Sequence, residues 1–152
     1  EEACREIISR RTSGVLALSG NDGYPYAVPL SYAYREGTFW FHGAAAGHKI
    51  DAIRRCGKAS FCVIDRDEVV PEKFTTYFRS VIAFGTIKIV EDEAEKRLAL
   101  EALAAKYGPA DGTGREEEIA KTIGRVCILA LTVTHMSGKE AIELVSRRQR
   151  EN

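Results

Sequence analysis

The run Gly43-Ala44-Ala45-Ala46-Gly47-His48-Lys49 carries the most chemistry-ready pattern in the chain. Glycine and alanine present almost no side chain, so a ligand can approach the backbone closely. His48 and Lys49 then open a helical pattern in which Ala46, Ile50 and Ile53 share one face. Free N–H groups at a helix start, a glycine before them and a lysine in the first turn suit an anion such as phosphate. The same residues also read as a plain strand-to-helix connection, and by themselves they do not decide between the two. Pro29 is the second chemical feature. Proline cannot donate to a ladder, so it marks an edge strand, a bulge or an interrupted pairing. An interrupted strand leaves backbone groups free for a planar heterocycle; a simple edge strand is the plainer reading.

These groups need strands and a helix to hold them. Residues 26–34 are rich in aromatic and branched side chains and read as a strand, Arg35-Glu36-Gly37 as the turn, and residues 38–42 (TFWFH) as the return strand. Upstream, Cys4, Ile7 and Ile8 are spaced for a short amphipathic helix, residues 15–19 form a strand, and Gly20-Asn21-Asp22-Gly23 is a turn. Downstream, residues 58–65 read as a strand and residues 65–73 (DRDEVVPEK) as a charged loop too polar for a core. Residues 74–91 are the longest strand-like run, with Gly85 predicting a bulge. Asp92 with Glu95, and Thr113 with Glu116, predict two capped helices; Leu100, Leu103, Ala104 and Tyr107 form the apolar face of the first, and Gly108-Pro109 ends it. Residues 125–135 are the last clear strand, and the tail 146–152 is charged and expected to fray. About six strands with few βαβ alternations predict an antiparallel barrel with peripheral helices in one domain, residues 1–152.

Composition bounds the partners. Lys+Arg and Asp+Glu are both 22, which argues against a nucleic-acid binder. No apolar run approaches the roughly 18–20 residues that span a bilayer, and no secretory leader is visible, so no membrane partner and a cytoplasmic location are expected. Cys4, Cys56, Cys62 and Cys127 lack metal spacing and read as reduced thiols; the three histidines do not pair as ligands, and no metal is expected.

Four stretches, GVLALSGNDGYPYAVPLSYAY, FWFHGAAAGHKIDAIRR, EVVPEKFTTYFRSVIAFGTIKIVED and MSGKEA, together resemble the FMN-binding split-barrel proteins related to pyridoxamine 5′-phosphate oxidase. Within that group they look most like the nitroimidazole-resistance nitroreductases, over residues 14–139. The resemblance implies a mainly β fold with peripheral helices, a six-stranded antiparallel Greek-key split barrel. It implies a homodimer with FMN, or alternatively FAD, at the subunit interface. It further implies that Val28, Pro29 and Leu30 offer backbone groups to the isoalloxazine edge, and that Phe41, His42 and Gly43 lie on the paired strand beside the ring. Gly47, His48 and Lys49 would take the phosphate; Arg79 and Ser80 would contact the flavin; Lys139, with Ser137 and Gly138, or Phe74 or Trp40, would reach the site from the second subunit. His42 is the candidate catalytic residue, since imidazole is the side-chain type that exchanges protons near neutrality. Arg79, His42 and Lys49 also read as ordinary solvated or core residues, and His135 reads as structural. The implied activity is reduction of a small nitroaromatic. The chain shows no C-terminal Arg/His cluster of the kind that binds pyridoxal phosphate, so oxidation of vitamin B6 is the weaker reading. A flavin-binding module without turnover and a haem-binding relative are the alternatives.

Overall fold

A computed structural model describes residues 1–151, with Asn152, the end of the tail read above as frayed, outside the described residues. The chain forms α1 (Glu2–Arg10), β1 (Ser13–Ser19), β2 (Pro25–Ser31), β3 (Ala33–Arg35), β4 (Thr38–Gly43), α2 (His48–Arg55), β5 (Lys58–Val70), β6 (Thr75–Ile89), α3 (Glu93–Tyr107), α4 (Arg115–Thr122), β7 (Cys127–Glu140) and α5 (Ile142–Glu151). All strands join one antiparallel sheet in the order β2-β1-β5-β6-β7-β4-β3.

The two outer strands of that sheet, β2 and β3, are consecutive in the chain with Tyr32 alone between them. Adjacent Cα atoms are about 3.8 Å apart, so Ser31 and Ala33 lie within about 7.6 Å of each other. The sheet must therefore curl until its edges meet at Tyr32, yet no ladder joins β2 to β3. Seven strands stand where six were expected, because the run read as one strand divides at Tyr32.

Inside the curl, Leu16, Tyr32, Phe39, Phe41 and Phe61 pack with no exposure, sealed at the ends by Ile7 and Ile8 of α1 and Ile50 and Ile53 of α2. Phe39, Phe41 and Phe61 meet at ring-centroid distances of 5.0–6.3 Å, within the range of favourable aromatic pairs. On the outer face, α3 and α4 lie over β3, β4 and β7 through Trp40, Leu100, Leu103, Ile119 and Ile128. The outer face of β1, β5 and β6 has no such cover: Val15 is 36% exposed, Ile64 59% and Phe84 44%.

Several local expectations hold. Glu36 and Gly37 both adopt positive φ in the β3–β4 turn, and Asp92 caps α3 by accepting the Glu95 N–H at 2.8 Å. Gly85 sits at a register shift between β6 and β7, where a Cβ would stand 2.0 Å from the Thr132 carbonyl oxygen. Others are corrected. β5 runs on to Val70 through the stretch read as a charged loop. The Thr113–Glu116 box does not form, since Gly114 at φ 75° occupies the N-cap without a side-chain bond. β7 continues through Ser137-Gly138-Lys139, and residues 146–151 are helical rather than frayed. Among the described residues no helix is long and apolar enough to cross a membrane.

Candidate functional site

The place where β2 parts from β3 is the most unusual feature of the sheet. β3 pairs with β4 through Arg35↔Thr38, Tyr34↔Phe39 and Ala33↔Trp40. Continued two residues further, that register would set Ser31 opposite His42, but β2 pairs instead with β1, Ser31 opposite Ser13. Among the described residues, Phe41, His42 and Gly43 consequently pair only with β7, and the far edge of β2 pairs with no strand. Two unladdered backbone edges flank one seam. Tyr107, at the end of α3, holds the seam open. Its hydroxyl accepts the Tyr32 N–H at 2.9 Å and lies 2.7 Å from the Tyr32 carbonyl oxygen, with the Thr12 carbonyl oxygen as a second acceptor for its single proton. A phenol thus satisfies backbone groups that a continuous ladder would have used. Burial raises the Tyr107 pKa, against the bonds to Tyr32 and Ser31, which keeps that proton in place. Sequence reasoning counted Tyr107 only as part of an apolar face.

At one end of the seam, Gly43–Gly47 leads into α2. Gly47 has φ 123° and serves as the N-cap with no side chain to satisfy the first N–H groups. Lys49 folds back over Gly43, where a Cβ would stand 3.0 Å from its Nζ. Among the described residues Lys49 makes no ion pair. His48 stacks on Tyr26 of β2 with ring centroids 4.3 Å apart. Free N–H groups and an uncommitted ammonium make this end an anion site in chemical character.

His42 lies on the outer face of β4, shared with Trp40, while Phe39 and Phe41 point into the core. Phe41 therefore presents no side-chain surface to a ligand; its backbone edge is what the seam exposes. Trp40 is buried under this chain's own α3, which removes it as a residue reaching across to a second subunit. Beside His42 and Ser31 opens a cavity of about 620 Å³ whose lining includes Leu100, Leu103, Ile119 and Tyr107, with Arg115 and Glu118 as its charged groups. The volume is in the range of small-molecule sites.

Val28 and Leu30 alternate inward on β2 and Pro29 outward, so this edge strand meets the seam through its backbone. Arg79, Ser80 and Lys139 stand elsewhere. Lys139 pairs with Ser80 at one end of β7, whereas Gly43 pairs with Cys127 at the other. Arg79 and Ser80 are adjacent on a strand and so face opposite sides of the sheet. Arg79 turns to Asp65 at 3.4 Å and Glu140 at 3.0 Å. Ser80 and Lys139 lie on the uncovered outer face with Ile64. Asp65 is buried, at the register shift in β5, and its carboxylate accepts from Arg10 at 2.6 Å and Arg11 at 2.8 Å. Burial pushes its pKa up, but the two arginines outweigh this and hold it down at about 2. Phe74, at the β5–β6 turn, is 98% exposed.

A family model described as pyridoxamine 5′-phosphate oxidase matches residues 1–140. No curated protein matches the sequence. Among solved structures, a Bacteroides thetaiotaomicron protein assigned to 5-nitroimidazole antibiotic resistance superposes at TM-score 0.75 with 21% identity, covering 91% of this chain and 82% of that one. A FAD-binding protein from Mesorhizobium loti gives TM-score 0.64 at 21% identity, with 92% and 94% covered. The FAD and haem binding protein of Mycobacterium smegmatis gives 0.76 at 23%, with 93% and 71% covered. At such identities these likenesses establish the fold.

Proposed function

The chain belongs to the pyridoxamine 5′-phosphate oxidase family, whose model it matches over residues 1–140, and from that premise we propose a flavin-dependent oxidoreductase that reduces a small nitroaromatic. The observation that carries this reading is the seam: two free backbone edges, an anion site at one end and a histidine-lined cavity beside it. FMN suits the seam because one helix N-terminus and one free lysine match one phosphate; FAD, with its pyrophosphate, is the alternative. The α2 N–H groups and Lys49 would hold that phosphate. The backbone of Val28, Pro29 and Leu30 would meet the polar rim of the ring, and the edge of Phe41, His42 and Gly43 its other side. Bound FMN supplies two-electron chemistry. His42, facing the cavity, positions and protonates the acceptor.

A homodimer completes the reading. The uncovered face of β1, β5 and β6 exposes Val15, Ile64 and Phe84 and, with the adjoining end of β7, carries Ser80 and Lys139, residues that one chain keeps apart from its own seam. A second copy against that face would bring them, with Phe74, towards the partner's flavin. Arg79 is left to the Asp65 clamp.

Lys49→Ala should weaken FMN binding at least tenfold in a fluorescence titration; unchanged affinity would sink the phosphate assignment. His42→Ala should retain FMN and lose most turnover with a nitroimidazole under anaerobic conditions. Full activity in that variant would remove the imidazole from the chemistry. The haem-binding relative supports a second reading, favoured if haemin produces a Soret band and FMN does not bind.

A further inference from the structure

The charged wall of the cavity beside His42 carries information that the flavin reading does not use. Arg115, the first residue of α4, lines it, and among the described residues the buried Arg115 Nε has no hydrogen-bond partner. Among the described residues its guanidinium makes no ion pair. The group is nonetheless seated: its Cζ and Nη2 lie 3.7 Å from where a Cβ would stand on Gly112, whose φ of 78° needs no side chain. Buried donors in folded proteins have acceptors, and leaving them bare costs free energy. Arg115 Nε is therefore a buried donor, on a residue that lines this cavity, that no acceptor among the described residues satisfies.

We propose that this cavity takes a small planar aromatic carboxylate, its ring against Leu103 and Ile119 and its carboxylate on Arg115. The proposal rests on the reading that the cavity is the acceptor side of the flavin site. A guanidinium offers a rigid planar fork that matches two carboxylate oxygens, which an uncharged ring substituent matches less well. Leucine and isoleucine walls favour a flat hydrophobic body over a sugar or a peptide. Glu118, one turn further along α4, lines the same chamber and opposes an anion. The two side chains thus set specificity in opposite directions: Arg115 selects for the carboxylate and Glu118 limits how tightly it is held.

Calorimetry with benzoate and benzamide, on the protein as purified and after saturation with FMN, tests this. Benzoate should bind at least tenfold more tightly than benzamide. Arg115→Gln should abolish the preference with circular dichroism unchanged, and Arg115→Lys should retain part of it. Glu118→Gln should tighten benzoate severalfold and leave benzamide alone, a gain that loss of folding cannot mimic. With a turnover assay, 4-nitrobenzoate should show a lower KM than nitrobenzene, and Arg115→Gln should raise only the former. Equal affinity for benzoate and benzamide, or a preference that survives Arg115→Gln, would overturn the inference. A benzoate preference in a protein that binds no flavin would leave the pocket standing and remove the flavin reading alone.

Discussion

Asp65 is buried at the register shift in β5, where Arg10, Arg11 and Arg79 share its carboxylate. DRDEVVPEK holds so many charges that it reads as loop, yet β5 continues through DRDEVV and its register shift at Asp65 turns the carboxylate inward. Periodicity cannot reveal this, because a bulge breaks the alternation by which a strand is recognised. The clamp makes a sharp prediction. The folded pKa of about 2 lies below the ordinary 3.8, so the stabilisation is complete above about pH 4 and is lost as pH falls through 2. Its size is on the order of 2 kcal/mol. Asp65→Asn should flatten that acid limb and cost about 3 kcal/mol at neutral pH, since Arg10, Arg11 and Arg79 lose their shared acceptor. Urea midpoints between pH 2 and 7 would show it; an unchanged acid limb would refute the clamp. Lys106 runs the other way. Burial lowers its pKa to about 8, with Nζ 3.8 Å above the Tyr32 ring. The unfolded chain binds that proton more tightly between pH 8 and 10.5, so stability rises with pH across that window, and Lys106→Met should abolish the rise.

Among the elements, hairpins and helix starts were the legible part. The Glu36-Gly37 turn, the Asp92 cap and the bulge at Gly85 each follow from a local rule about φ or a short-range hydrogen bond. The division at Tyr32 was not legible, because its cause lies far along the chain: a phenol on α3 takes the backbone groups of a residue in the sheet. Tyr107→Phe should cost about 1–3 kcal/mol by stranding a buried N–H and C=O. Faster hydrogen exchange at the Tyr32 amide would locate the loss at the seam. An unaltered exchange rate there would show that Tyr107 does not hold it. The second capping box failed for a related reason: Gly112 and Gly114 fold the α3–α4 connection into a tight turn, and the helix starts after the threonine.

For the whole molecule, the motifs in order were enough to place the chain in its family, because each stretch lies on an element that flanks the seam or shapes the sheet around it. The helix start at Gly47, with Lys49 in its first turn, was legible for the same reason, being local in sequence. The grouping of the remaining residues was not: Arg79, Ser80 and Lys139 sit at the far end of β7 from Gly43, and adjacency in a motif says nothing of which face each takes. The dimer proposal turns that separation into a consequence. Phe84→Asp, in the uncovered face, should yield monomers in sedimentation velocity and lower FMN affinity together. Monomers that keep full FMN affinity would show that one chain holds the flavin alone. The central claim is tested most directly by the visible spectrum of the purified protein, followed by titration with FMN and identification of any chromophore released on denaturation. The account predicts a flavin spectrum, or FMN taken up to one per chain. A colourless protein that binds no added flavin would contradict it.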